Sequence, residues 1–216
     1  MKITIISDTH MQHEKLGVLR GDVLIHCGDS GFGFDHSDAD VDSLDDWFGR
    51  QEFDRILYVG GNHDFAIEKR ARTGHQVFRN AAYLEDAPLQ YRGINFYGAP
   101  WIPELEGWAF HRPAPEIRER WELIPPETDI LITHTPPHNI LDRNRRGKAC
   151  GCPELRKRVL DLRPRIHCFG HVHAGGGMLS LLNTTYINAS LVNSQYELER
   201  KPYEVDIDAR STSRTI

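Results

Sequence analysis

The sequence contains no Gly-x-x-x-x-Gly-Lys-Ser/Thr loop and no Gly-x-Ser-x-Gly elbow. The first absence excludes a P-loop phosphate grip, and the second removes the strand-turn-helix nucleophile of the α/β-hydrolases. Cysteine is scarce: Cys27, Cys150, Cys152 and Cys168 form no pair of CxxC units, so a zinc ribbon is excluded. A Cys150–Cys152 disulfide would be strained, and the four thiols read best as small buried side chains in a reducing compartment. No apolar run approaches the ~20 residues of a membrane-spanning helix. No basic-then-apolar leader precedes "KITIIS" at 2–7, so a cytoplasmic protein with no membrane partner is expected. Excess positive charge is lacking as well. With 26 Lys+Arg against 31 Asp+Glu the net charge is −5, which argues against nucleic acid as the main partner.

What is present begins with length. The 216 residues suffice for one domain with a sizeable core, expected over 1–208, with the polar "ARSTSRTI" at 209–216 as a flexible tail. Short β-branched runs recur at 3–7, 23–27, 55–60, 94–98, 129–134 and 165–170. They are continuous rather than alternating, as in strands covered on both faces. Helical spacing places Val41, Leu44, Trp47 and Phe48 on one face. It does the same for Leu155, Val159, Leu160 and Leu162 behind Pro153. Strands alternating with helices predict an α/β fold with a mixed or parallel sheet. Two hairpins are expected near the end, at 178–190 with a turn at Asn183-Thr184 and at 196–207. The Pro- and Trp-rich stretch 100–115 reads as a surface excursion over a site.

Polar clusters then fall just past the predicted strand ends, where open α/β sheets bind ligands. Asp8 and His10 follow the first strand, and Asp29 follows the second. Asn62, His63 and Asp64 follow the third, His134 a later one, and His171 and His173 another. Gly28, Gly60, Gly61 and Gly170 let the backbone turn sharply beside them. Any one of these histidines alone would read as an ordinary core or surface residue. Their joint placement reads as a metal site, with N and O donors suited to Zn, Fe, Mn or Ni. Seven donors exceed the needs of one ion. Two ions about 3.5–4 Å apart, sharing a bridging carboxylate, would use them. In extended chain His171 and His173 point to the same side, so one segment could serve both ions.

Asp8-x-His10, Gly28-Asp29, Gly61-Asn62-His63-Asp64, His134 and Gly170-His171-x-His173 together resemble, in order, the signature of the calcineurin-like metallophosphoesterases. "GAPWIPELEGWAF" (98–110), "THTPPHNILDR" (133–143), "GCPELRKRV" (151–159), "RPRIHCFGHVHAGGG" (163–177) and "YINASLVN" (186–193) are similar to its small MPPED-type subfamily. The resemblance implies a four-layer α/β sandwich of two packed mixed sheets flanked by helices. It implies two divalent metal ions, Mn2+ favoured over Fe or Zn. One would be held by Asp8, His10, Asp29 and His173, and the other by Asp29, Asn62, His134 and His171. It also implies hydrolysis of phosphodiesters of small or cyclic nucleotides. Asn139 stands where the subfamily pattern carries Gly, and Asn is the residue next most tolerant of a left-handed turn.

Attack in line by a hydroxide held between the ions would leave His63 as proton donor to the leaving oxygen, or as a positive partner for the transition state. Asp64 would orient its ring. Weaker candidates for substrate contact are Arg143 and Arg146 in "RNRRGK" (143–148), and His111. Trp101 and Trp108 could wall the pocket, while His26 and His167 read as structural. Alternative functions are a nuclease or protein phosphatase of the same superfamily, or a metal-loaded binding protein with little catalysis. The sequence leaves the oligomeric state open.

Overall fold

The computed structural model describes residues 1–208, and the tail expected at 209–216 lies outside them. One sheet orders β11 (Tyr203–Asp206), β1 (Lys2–Ile6), β2 (Arg20–His26), β3 (Glu52–Tyr58) and β4 (Ala82–Tyr83). Strands β1 to β4 run parallel there and β11 is antiparallel. The other orders β5 (Ala87–Tyr91), β6 (Ile94–Ala99), β7 (Ile130–Thr133), β8 (Ile166–Phe169), β10 (Thr184–Asn188) and β9 (Gly177–Leu181). Only its edge strands β5 and β9 are antiparallel. Four helices flank the sheets: α1 (Asp38–Gly49), α2 (Phe65–Arg72), α3 (Ala114–Glu122) and α4 (Pro153–Leu162). This is the expected arrangement of two mixed sheets between helices.

Parity along each strand decides which layer a side chain enters. Ile3 and Ile5, Val23 and Ile25, Leu57 and Val59 face inward, where they meet Ile130 and Ile132, Ile166 and Cys168, and Ile187 from the second sheet. The alternate residues Ile6, Leu24, Ile56 and Tyr58 pack outward with Val41, Leu44, Trp47 and Phe48 of α1. Leu131, Phe169 and Tyr186 do the same with Ile117 and Trp121 of α3 and Leu155 and Val159 of α4. Both parities are buried, which is why the runs read as continuous. Each such aliphatic side chain contributes roughly 1.5–3 kcal/mol by leaving water.

Some expectations change. Helices α2 and α3 were not foreseen, because each offers only two buried apolar residues: Ala66 and Ile67, and Ile117 and Trp121. The 100–115 stretch is only partly a surface excursion, since Trp101, Ile102, Ala109 and Phe110 are all buried. The guanidiniums of Arg112 and Arg120 each lie over the Trp101 ring, whose Nε1 donates to Asp86 (2.8 Å), and Trp101 does not line the cavity beside the polar clusters. The β9–β10 hairpin turns at Leu182-Asn183, one residue early, with both in the left-handed region. The second hairpin does not form. Only β11 of that segment is a strand, and it pairs with β1 in the other sheet.

His26 and His167 occupy matching outward positions in β2 and β8, one in each sheet. Their Nε2 atoms meet the hydroxyls of Thr9 (3.0 Å) and Thr133 (2.9 Å). Burial pushes both down to about 3. The unfolded chain binds protons on them below about pH 6.5 while the folded chain does not. Their contribution is therefore complete above pH 6.5 and is lost as pH falls toward 3, at up to about 1.4 kcal/mol per pH unit for each ring. Urea midpoints between pH 7.5 and 4.5 should fall less steeply in His26→Gln/His167→Gln than in the parent. Equal slopes would contradict the neutral burial of both rings.

Candidate metal centre

The parallel strands point their carboxyl ends to one side, and the loops leaving β1 and β2 are zipped together there. The N–H of Asp8 donates to the Gly28 carbonyl (2.9 Å) and that of His10 to the Asp29 carbonyl (3.1 Å). Asp8, His10, Asp29 and His171 all have left-handed backbones, with φ of 54°, 39°, 57° and 69°. Such non-glycine residues cost of order 1–3 kcal/mol each and cluster at functional sites. Two glycines give the side chains room. A Cβ at Gly61 would collide with Asp29 Oδ1, and one at Gly170 with Ser7 Oγ and Asp8 Oδ2.

All seven expected ligands meet here. His173 Nε2 lies 3.3 Å from Asp8 Oδ1 and 3.2 Å from His10 Nε2. His134 Nε2 lies 3.2 Å from Asp29 Oδ2 and 3.1 Å from Asn62 Oδ1, and His171 Nδ1 lies 2.8 Å from the same Asn62 oxygen. Donor atoms of Asp8, His10 and His173 lie within 4.8 Å of one another, and so do those of Asp29, His134 and His171. His63 forms a third such group with His10 and Asp29. The rings are aimed from behind. The Nδ1 atoms of His10, His134 and His173 face the carbonyls of Gly31 (2.9 Å), Cys27 (2.7 Å) and Asn193 (3.2 Å). Each ring thereby turns Nε2 toward the centre, the orientation that ligating histidines receive from their backbone partners. A divalent cation fits this N/O donor set.

His171 and His173 reach the centre differently from the expectation. The segment is not extended: His171 has a left-handed φ, and His173 opens a short 3-10 turn, His173–Gly175. One ring presents Nδ1 and the other Nε2.

Charge at the centre is coupled. Burial alone would raise Asp8 and Asp29, yet neighbouring histidines hold both carboxyls well below the usual carboxylate range. Burial alone would depress His134, but the Asp29 carboxylate carries it up to about 9. His171, buried and beside His134, falls to about 4.

Asp64 does not orient the His63 ring. Its fully buried carboxylate accepts from the N–H groups of Asp29 (2.9 Å), Gly31 (2.9 Å) and Gly61 (2.8 Å) and from the hydroxyls of Ser30 (3.1 Å) and Tyr58 (2.7 Å). It is the knot joining the loops after β2 and β3. The His63 ring instead lies edge-on to Trp108 (4.8 Å) and His10 (4.9 Å), and its Nδ1 has no partner.

Beside the centre a cavity of about 510 Å³ is lined by Asp29, Asn62, His63, His171 and His173, with Trp108 and Tyr196 among its walls. Of the weaker candidates, Arg146 lines this cavity, while Arg143 and His111 do not. Arg143 is a loop staple, donating to the Gly147 carbonyl (2.7 Å). Tyr196 and Phe32 carried no signal in the sequence, and Arg145 lay within the basic stretch 143–148 without being singled out. The Tyr196 ring meets His10 (4.8 Å), His173 (5.1 Å) and Phe32 (5.0 Å). All three sit in loops with no periodicity, and Tyr196 owes its place to a left-handed backbone (φ 62°) that its residue type does not announce. Asn139, by contrast, takes the left-handed turn expected of it (φ 58°).

The family profile of calcineurin-like phosphoesterases matches residues 1–175. The chain belongs to that family. This metallophosphoesterase is 31% identical to Metallophosphoesterase domain-containing protein 1 of Homo sapiens, over 95% of its own length and 71% of the relative's. It is 33% identical to UPF0046 protein K07C11.7 of Caenorhabditis elegans, over 99% of its length and 77% of the relative's. Among solved structures it resembles TT1561 of Thermus thermophilus, with TM-score 0.59, 15% identity and coverage of 87% and 88% of the two chains. It also resembles Phosphopantetheinyl Hydrolase from Mycobacterium tuberculosis, with TM-score 0.57, 16% identity and 90% of each chain covered. At these identities the structures share the fold alone. Among the described residues of the metallophosphoesterase no helix is long and apolar enough to cross a membrane.

Since Asp64 accepts five hydrogen bonds and donates none, Asp64→Asn would set an amide NH2 against donors. The expected loss is about 2–4 kcal/mol of stability, from unsatisfied buried groups. Urea denaturation of the two proteins checks this. A carboxylate that only oriented His63 would leave stability unchanged.

Proposed function

We propose that the chain is a phosphodiesterase that uses two divalent cations to hydrolyse small or cyclic nucleotides. The observation that carries this reading is the position of Asp29 Oδ2, 3.2 Å from His134 Nε2 and 4.0 Å from both His10 Nε2 and His63 Nε2. One carboxylate oxygen faces both histidine groups, as a bridging ligand must. In this reading Asp8, His10, Asp29 and His173 hold one ion, and Asp29, Asn62, His134 and His171 hold the other. Two such cations would supply a water of lowered pKa and neutralise charge on the phosphoryl oxygens. Mn2+ is the favoured occupant, with Fe and Zn also suited to the donors.

The protein's own part is orientation and proton delivery. His63 faces the same cavity as Asp29, and its backbone N–H donates to Asp29 Oδ1 (2.7 Å). A ring so placed donates a proton to the leaving oxygen of the ester. Trp108 restrains it at one edge and leaves a wall against which a base can lie. The cavity, about 510 Å³, falls within the usual range for a small-molecule site and exceeds the needs of a bare phosphate. Four free thiols suit a cytoplasmic setting.

Two experiments test this reading. The first is a panel of phosphoesters assayed with Mn2+, Fe2+ or Zn2+ returned to stripped protein. Bis(p-nitrophenyl) phosphate and at least one 2′,3′- or 3′,5′-cyclic nucleotide should turn over. Elemental analysis should find two ions per chain, and Asp29→Asn should lose both or nearly so. Turnover of monoesters alone, or a single ion in well-loaded protein, overturns the reading.

The second concerns His63→Ala. It should keep both ions and lose about 10²–10⁴ in rate on a nucleoside leaving group, the usual contribution of a positioned acid. The loss should be much smaller with p-nitrophenolate, which needs little protonation. Equal losses on both would reject the acid role, and lost metal would make His63 a ligand.

A further inference from the structure

The same cavity that holds the metal-facing side chains has a second wall that the chemistry above does not use. Asn144, Arg145, Arg146 and Cys150 line it together with Asp29 and His63. Arg145 and Arg146 are exposed, and neither has an ion pair among the described residues. Other arginines without a carboxylate partner spend their guanidiniums on backbone carbonyls, as Arg55 does on Asp54, Arg156 on His138 and Arg158 on Trp121. Among the described residues no ion pair joins either guanidinium to the carboxylates of the metal centre.

The loop is built to hold them. The side-chain oxygen of Asn144 accepts from the N–H groups of Arg146 (3.0 Å) and Lys148 (3.1 Å). Asn144 N–H donates to the Lys148 carbonyl (2.9 Å), and Gly147 N–H to the Asn144 carbonyl (2.8 Å). An Arg143–Ala149 bridge closes the base. Five hydrogen bonds, counting the Arg143 staple, therefore set a short turn whose tip carries two cations. The side-chain amide of Gln195 lies against the Arg145 guanidinium. Gln195 adjoins Tyr196, whose ring packs on His10 and His173. The basic turn is thus linked to the wall of the centre without entering it.

A guanidinium pair on a cavity wall, carried by a hydrogen-bonded turn and without an ion pair among the described residues, suits a phosphate or carboxylate. The scissile phosphoryl group belongs with Asp29 and His63, so the basic turn is left for a different group. We propose that the substrate carries a second anionic group, set across its sugar from the scissile phosphorus, that its base lies along Trp108 and Tyr196, and that Arg145 and Arg146 bind the second anion. This deepens the phosphodiesterase reading and rests on it for where the scissile group sits.

The probes are adenosine 3′,5′-bisphosphate and 5′-AMP, which differ by one phosphate set across the ribose. Isothermal titration of the Mn2+-loaded chain should find the bisphosphate binding roughly tenfold more tightly, as expected for one added charge-assisted pair at a solvent-facing site. In Arg145→Gln/Arg146→Gln that ratio should fall to within about twofold of unity, with AMP affinity nearly unchanged. Lys148→Gln, on the same turn but outside the cavity, should keep the parent ratio. No preference in the parent, a preference that survives in the double variant, or an equal effect of Lys148→Gln each overturns the proposal. So does an equal loss of AMP binding. Turnover of bis(p-nitrophenyl) phosphate by the parent, measured on the same preparation, reports on the phosphodiesterase reading separately. A chain with no diester turnover but an Arg145- and Arg146-dependent ratio would reject that reading and keep the second anion site.

Discussion

Much of the upper rim of the two sheets is arranged around one buried carboxylate. Asp29 is only 1% exposed. A charge in that position must be compensated locally, because the cost of stripping its water is several kcal/mol. Compensation arrives from His63 N–H on one oxygen and from His134 and His10 around the other. Its backbone is strained into the left-handed region to bring this about. That strain persists because Asp64 binds the Asp29 N–H and, at the same time, those of Gly31 and Gly61. One buried acid is thus fixed in place by another.

The scaffold beneath explains why such strain is tolerable. Two mixed sheets pack inner face to inner face, and helices cover the outer faces. Loops leaving a layer this rigid have little freedom, so residues 163 positions apart, Asp8 and His171, hydrogen-bond directly. The backbone carbonyls of Cys27, Gly31 and Asn193 then fix the faces of three imidazoles. The orientation of these rings is thus set by the main chain.

The cavity walls obey a different rule. Trp108, Tyr196 and the turn at Arg143–Ala149 belong to loops held by their own local hydrogen bonds rather than by the sheets. A chain of net negative charge that turns unpaired arginines toward this cavity makes a local field opposite in sign to its overall charge. Such a field favours anionic ligands at the mouth.

The order of polar clusters and the strand runs were legible in the sequence, because both follow from short-range rules. The β-branched runs expected at 3–7, 23–27 and 129–134 are buried on both faces and build β1, β2 and β7, and Asp, Asn and His just past their ends gather where parallel strands finish. The resemblance carried by those clusters named the family and the fold. Helices α2 and α3 were hidden because two apolar residues each make no periodic signal. Tertiary structure alone decided the rest. Asp64, beside a histidine in sequence, turns away to bind three loop amides, since a buried carboxylate goes where donors are densest. His171 and His173 are two residues apart yet use different ring nitrogens, because a left-handed residue and a 3-10 turn replace extended chain. Arg146 joins the cavity and Arg143 does not, because the turn between them reverses direction, and the direction of a loop is set by what it packs against.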